Sequence, residues 1–356
     1  MSSYKEIAEK AGVSIGTVYR VLHSRGRFSA DTAERVREIA RGLGYKKNIY
    51  ASNLSRSRVR RIAIVMPDPS HDNRYWQQPH DGITSAINAL EHYKLTWTDC
   101  FYDEHDPDSF RRVLDEARSD GPDAAIIAPS LAAASEQVIT AGSLPMPHVM
   151  IDTLIPGTGR IGYVGQDSYA SGRAAGRLLR LLTSHDGSIA AVRSLPASSH
   201  IERRIQGVAE HLREHGRPDA RELDLDFADH TASREALAGL LSRSGEPVAW
   251  FVSNSNASIL ADLLDELAGA RARPIVGYDL VPENVAALAA GRLSFLLSQR
   301  PEEQGRRAVE MIYRTVILGE HERRDEYLPI DIVSPETIES HLAIETEGGV
   351  QDVGVS

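Results

Sequence analysis

The chain changes its hydrophobic period once. Over residues 4–45 apolar positions recur every three to four residues in short blocks, as amphipathic helices require. Ile7, Ala8 and Ala11 share one face, Val18, Val21 and Leu22 a second, and Ala33, Val36, Ala40 and Leu43 a third. From Arg61 onward, short and nearly continuous apolar runs alternate with helical stretches, the pattern of strands buried on both faces. The first series is "RIAIVMP", "LTWTDCFY" (95–102), "DAAIIAP" (123–129), "PHVMID" (147–152) and "RIGYVG" (160–165). A second series is "SIAAVR" (188–193), "ARELDLDF" (220–227), "PVAWFVS" (247–253) and "RPIVGYD" (273–279), with "RLSFLLSQ" (292–299) and "YLPIDIVS" (327–334) as late strands. Helical patterns such as "HDGITSAINALEHY" and "SFRRVLDEARSD" lie between them. Strands alternating with helices predict parallel sheets with helices on both faces, and two series predict two α/β lobes.

Capping residues sharpen the first block. Ser3 and Glu6 form a capping box, Gly12 ends the first helix, and Ser14 caps the second. The link "GVS" is short enough to force a sharp angle, the helix-turn-helix arrangement. Ser29 caps a third helix, closed by Gly42 and Gly44. The fold class expected is therefore α/β, a small all-α helix-turn-helix head on a two-lobed, doubly wound parallel-sheet body.

Charge gives the head a partner. Residues 1–61 carry 14 Lys and Arg against 5 Asp and Glu, a net of +9, while the remaining residues carry 26 against 45, a net of −19. A basic, capped, amphipathic block on an acidic body points to a polyanion, double-stranded DNA, rather than to a solvated tail. A second helix laid in a major groove reads base edges with its N-terminal and outward residues, Ile15, Gly16, Tyr19 and Arg20. Arg20 can make a bidentate contact to guanine, and Ile15 can touch a thymine methyl. The hydroxyls of Ser14, Thr17, Ser29 and Thr32 either hold phosphates or serve as plain helix caps.

Other chemistries find little support. Cys100 is the single cysteine, so no disulfide framework or cysteine-based zinc site is expected, and the default home is cytoplasmic. No apolar run reaches the roughly 18–20 residues of a membrane span, and the first residues lack a secretory signal. "GTGRIG" (157–162) fits a dinucleotide fingerprint literally, but it follows Pro156 and leads into a strand, so it reads as a turn. His211 and His215 in "HLREH" have metal-ligand spacing, but both are placed near the outer face of their helix with no third ligand. No nucleophile elbow and no phosphate loop occur. No catalytic residue, metal or cofactor is expected.

The stretch "YKEIAEKAGVSIGTVYRVL…FSADTAERVREIARGLGYKKN" resembles the head of the LacI/GalR family of transcription regulators. The resemblance implies that Asn48–Arg58 forms a short hinge helix on operator DNA. Asn48, Ala51 and Leu54 match its pattern, and Leu54 falls on the residue that wedges into the minor groove, where the competing reading is an exposed linker leucine. Lys47 and Tyr19 depart from the family's usual proline and serine. The body resembles type I periplasmic binding proteins, in which the chain crosses between lobes three times, here near residues 165, 291 and 325. The domains implied are a helix-turn-helix head (1–46), a hinge and linker (47–60), a two-lobed effector and dimerisation body (61–344) and a disordered tail (345–356). Lobe 1 takes 61–165 and 292–324; lobe 2 takes 166–291 and 325–344.

Ligands of open α/β folds sit at strand C-terminal ends. The residues there that match effector contacts of the family are Tyr75 and Trp76, Arg204 in "RRIQG", Phe227, Asn254 and Asp279. Gln299 either lines the cleft or serves the hinge, and Asp152 either binds ligand or caps a turn. For Tyr75 and Trp76 the competing role is core packing, and for Arg204 a surface ion pair. Aromatic faces with Asp, Asn and Arg suit a sugar or sugar derivative, and would also suit a purine. The expectation is a homodimeric, ligand-controlled repressor that binds a palindromic operator. The alternative is a transporter's solute-binding protein without DNA binding.

Overall fold

The computed structural model describes residues 4–22, 28–43, 59–70, 74–106, 108–131, 135, 139, 144–183, 187–244, 246–320 and 322–342. Ser3, Gly44, Lys47, Asn48, Ala51, Leu54, the rest of the hinge segment and the tail after residue 344 fall outside them. Two compact units divide the chain, residues 1–57 and 58–356.

In the first unit, α1 (Tyr4–Ala11), α2 (Ile15–Leu22) and α3 (Ala30–Gly42) follow the three predicted apolar faces. Ile7, Ala8, Ala11, Val18, Val21, Ala33, Val36 and Ala40 make one small core. Gly12 takes a left-handed φ of +62° to turn the chain, and Ser14 Oγ then accepts from the Thr17 amide at 3.1 Å. Ser29 caps α3 by the same contact to Thr32.

The second unit holds two six-stranded sheets. Lobe 1 contains β1 (Arg60–Pro67), α4 (Gln77–Ala89), β2 (Leu95–Tyr102), α5 (Ser109–Ser119), β3 (Ala124–Ile127), β4 (His148–Ile151) and β5 (Gly162–Gly165). Lobe 2 contains α6 (Ser168–Leu182), β6 (Ile189–Ser194), α7 (Ser199–Glu214), β7 (Arg221–Leu225), α8 (His230–Ser244), β8 (Ala249–Val252), α9 (Ala257–Ala268), β9 (Ile275–Tyr278), α10 (Pro282–Ala289) and β10 (Phe295–Ser298). Then α11 (Pro301–Ile312) and β11 (Arg324–Tyr327) return to lobe 1, and β12 (Asp331–Val333) goes back to lobe 2. The sheet orders are β11-β5-β4-β3-β1-β2 and β12-β10-β9-β8-β6-β7, so each lobe repeats the other's plan. Within β1, Ile62, Ile64 and Met66 enter one core and Ala63 and Val65 the other, which is why the run is apolar throughout.

Several expectations change here. "YLPIDIVS" is not one strand: Tyr327 ends β11 beside Gly165, and β12 begins only at Asp331 in the other sheet. Pro329, between them, has no amide hydrogen to give a ladder, so the pairing stops where the chain changes lobe. The second crossing lies after Ser298 rather than near 291, because β10 pairs with β9 and so stays in lobe 2; the third lies past Tyr327 rather than near 325. "GTGRIG" is a turn leading into β5, with Gly157 and Gly159 at positive φ. His211, expected near the outer face of α7, is buried against the backbone of α6 at Gly176 and stacks on the exposed His215 at 4.3 Å.

Candidate ligand cleft and nucleic-acid face

The repeated plan brings strand C-terminal ends of both lobes to one cavity of about 130 Å³. That is close to the roughly 150 Å³ that admits one six-membered ring. All eight residues singled out from the sequence line it: Tyr75, Trp76, Asp152, Arg204, Phe227, Asn254, Asp279 and Gln299.

Asp152 and Asp279 hold equivalent places. Each follows the third strand from its sheet's late edge, β4 or β9, and each adopts a left-handed φ, +62° and +69°. Aspartate tolerates that region better than most residues. The Asp152 amide donates to Val164 O at 3.1 Å and the Asp279 amide to Leu297 O at 2.9 Å, which fixes both turns. Both side chains are buried.

A polar chain then joins the lobes. Tyr75 Oη donates to Asp152 Oδ1 at 3.1 Å. Gln299 Nε2, just past the second crossing, donates to Asp279 Oδ1 at 2.9 Å and to Tyr75 Oη at 3.3 Å. Arg204 donates to Gln299 Oε1 and, at 2.8 Å, to the Ser253 carbonyl, while its guanidinium lies 3.9 Å from the centre of the Tyr278 ring. At 1% exposure Arg204 is no surface ion pair; it is the buried backing of the cleft. Gln299 thus serves both the cleft and the crossing. Burial pushes the Asp279 carboxyl up to about 7, against the pull of Arg204 and Gln299 in the other direction. Burial, with Asp152 next to it, raises the Tyr75 phenol well above its ordinary range.

Tyr75 and Trp76 both pack in the lobe 1 core and line the cavity, edge to face with centroids 5.0 Å apart. Phe227 likewise leans on the lobe 2 core. Asn254 Oδ1 accepts from Ser194 Oγ at 2.6 Å and from the Asn256 amide at 3.1 Å, which leaves its amino group for a ligand.

Sequence reasoning missed several lining residues, among them Glu104, Ser130, Ser198 and His200. The strand-end rule reaches Glu104 and Ser130, which follow β2 and β3. His200 sits one helical turn before Arg204 on α7, a spacing that carries its own signal. His200 Nδ1 lies 2.7 Å from Thr153 Oγ1, so lobe 2 touches lobe 1 directly here, and 3.5 Å from Asp152 Oδ2. Burial holds its imidazole down at about 4, despite Asp152.

On the head, Ile15 is 50% exposed, Gly16 and Arg20 are exposed, and Tyr19 is half-buried against Tyr4. Ser14, Thr17 and Arg20 form a ladder along α2: Ser14 Oγ meets Thr17 Oγ1 at 2.9 Å, and Arg20 donates to Thr17 Oγ1 at 3.2 Å. The Ser14 and Ser29 hydroxyls therefore do cap helices. Among the described residues no helix is long and apolar enough to cross a membrane, and no group of three His, Cys, Asp or Glu is arranged to hold a metal.

Comparison with known proteins adds two family matches. Residues 62–320 match the periplasmic binding protein domain, and residues 3–48 match the lacI family of bacterial regulatory proteins. The chain is 33% identical to the HTH-type transcriptional regulator RegA of Clostridium saccharobutylicum over 34% of its own length and 35% of RegA. It thus spans about a third of that relative. It is 26% identical to the HTH-type transcriptional regulator RafR of Escherichia coli over 88% of this chain and 92% of RafR. The structure of GanP, a glucose-galactose binding protein from Geobacillus stearothermophilus, is similar in fold, with a TM-score of 0.67 at 22% identity, covering 78% of this chain and 98% of GanP.

Proposed function

Since the chain belongs to the lacI family of bacterial regulatory proteins, with a periplasmic binding protein domain over most of its length, we propose that it is a ligand-responsive transcription regulator. It binds a palindromic operator as a homodimer, and a sugar or sugar derivative in the cleft changes that binding. The observation that carries the reading is one chain with both a capped helix-turn-helix head and a ring-sized cavity lined by polar and aromatic residues from two lobes. Ile15, Gly16, Tyr19 and Arg20 face base edges, and Leu54 is the minor-groove wedge. The family's function is regulation, and we assign the chain no catalytic step.

The cleft acts through its lobes. A ligand shifts an equilibrium only by its differential affinity for the two states, typically about 1–3 kcal/mol of coupling. Tyr75, Gln299 and Asp279 lie on the polar chain between lobes, so a ligand that exchanges hydrogen bonds with them biases closure. The test selects duplex sites from a random library with the full chain and then titrates the selected site with sugars and purines. A two-fold symmetric site whose affinity moves on adding one sugar is expected. Asp279→Ala should keep ligand-free operator binding and lose the response. A chain that binds a sugar but no duplex at low salt would instead be a solute-binding protein.

A further inference from the structure

One side chain touches all three crossings between the lobes. Gln166 follows β5 directly, so its backbone belongs to the first crossing. Its side chain is buried, at 3% exposure for the residue. Nε2 donates to Ser298 O, where the second crossing starts, at 3.0 Å, and to Pro329 O, on the third, at 3.2 Å. A carboxamide nitrogen carries two hydrogens, so each of the other crossings receives one. Oε1 is buried and meets no donor among the described residues, so the group is held there for its donors. Turned over, it would set an oxygen against two carbonyls. Glutamate would bring acceptors alone, an apolar side chain nothing, and lysine a buried charge. Arg300 and Asp331 also pair between the second and third crossings, at 2.6 and 2.9 Å. That pair leaves out the first crossing, and its arginine is exposed to water, where an ion pair holds little.

We infer that Gln166 clasps the three crossings into one hinge, and is the positioning residue through which a molecule bound in the cleft turns one lobe on the other. That this turn reaches DNA rests on the ligand-responsive reading above; the clasp itself does not. The lobe 1 ladder has its last rung where the Leu328 amide donates to Gly165 O at 2.7 Å, and the lobe 2 ladder resumes where Ser298 pairs with Asp331. Gln166 bridges the gap between the two ladders. Without it, the three segments there could each bend at their own residues, and a few such positions absorb most of a hinge motion. Separate bends let the lobes slide or twist as well as close. Tied at one buried point, the segments share an axis, and differential affinity in the cleft then biases a single motion. Gln166 lines neither the cavity nor the head, so its loss should separate binding from response.

The test compares the full chain with Gln166→Met, which keeps an unbranched side chain of similar length and removes both donors. Glucose, galactose, ribose and adenine are the probes, titrated by calorimetry and by anisotropy on the duplex selected above. Gln166→Met should bind the active probe and the probe-free operator within about twofold of the parent, while the ratio of operator affinities with and without probe, about 5–150-fold in coupled systems, falls close to one. A ratio equal to the parent's overturns the inference and leaves the regulator reading standing. A joint fall in probe binding, operator binding and melting temperature marks a merely structural role and overturns it too. Native-state hydrogen exchange of the probe-free parent needs neither a probe nor a folded variant. As urea rises below the unfolding transition, amides of residues 166–167, 299–300 and 330–331 should open with one common free energy. The first crossing opening apart from the other two overturns the clasp. A parent whose operator affinity moves with none of the probes counts against the ligand-responsive reading, and the exchange result then decides the clasp.

Discussion

Folding moves two protons in opposite directions within one cavity. Asp279 goes from an ordinary 3.8 to about 7, and His200 from 6.5 to about 4. Between 3.8 and 7 the folded chain holds a proton on Asp279 that the unfolded chain has released, so stability falls as pH rises through that window. Between 6.5 and 4 the unfolded chain protonates His200 and the folded chain does not, so stability falls as pH drops through that one. The windows overlap and oppose each other from about 4 to 6.5. Asp279→Asn keeps an oxygen for Gln299 and removes the first slope. Its stability relative to the parent should therefore improve from pH 4 to pH 8, by at most about 4 kcal/mol over three pH units. Urea unfolding at several pH values measures this; an equal difference at both ends means that Asp279 is not the titrating group.

Helices α6 and α7 set the position of the cleft's lobe 2 wall. A Cβ on Gly172 would run into the Arg204 carbonyl, and one on Gly207 into the Tyr169 carbonyl, so the two backbones touch through a reciprocal pair of glycines. Gly207→Ala must push α7 away from α6. Overpacking of that kind costs about 1–3 kcal/mol. Because His200 and Arg204 ride on α7, affinity for the ligand proposed for the cleft should drop along with the melting temperature. A variant that melts with the parent would show that the contact gives way freely. The same helix pair shows what the sequence hid. Ile205, Val208 and Leu212 mark a buried stripe on α7 that was legible, and Ile201 extends it. His211 lies off it, and is buried because α6 presents Gly176 there, a neighbour that α7's own period cannot reveal. The inner strands, such as β1, β3, β4, β8 and β9, were legible because burial on both faces leaves an unbroken apolar run, whereas the polar edge strand β11 leaves none, and 327–334 was read as a single strand. Glu104 and His200 were overlooked because a polar residue in a loop or at a helix start looks the same whether it faces water or a ligand. Tyr75 and Trp76 show the converse: core and cleft were offered as alternatives, and the rings serve both.

At the scale of the whole chain, charge is split as +9 over residues 1–61 and −19 over the rest. If the head reads DNA, its affinity should fall steeply with salt, at about −0.9 log units per log unit of salt for each phosphate neutralised. Fluorescence anisotropy between about 50 and 200 mM salt reads this directly, and a flat line would remove the electrostatic argument for the head. The order of the strands has a consequence of another kind. Arg324 lies beside Gly162 at the edge of one sheet, and Val333 beside Leu296 at the edge of the other. A chain emerging from the ribosome cannot close lobe 1 when β5 appears, because α11 and β11 are still to be synthesised, nor lobe 2 before β12. Pairings so distant in sequence form slowly. Protease resistance of stalled nascent chains should thus arrive late, once the stretch through Val333 has cleared the tunnel, and a chain stopped near residue 300 should stay digestible. Until then β5 and β10 each show a bare edge to the crowded cell, which makes the interval before β11 and β12 emerge the one in which this protein most needs a chaperone.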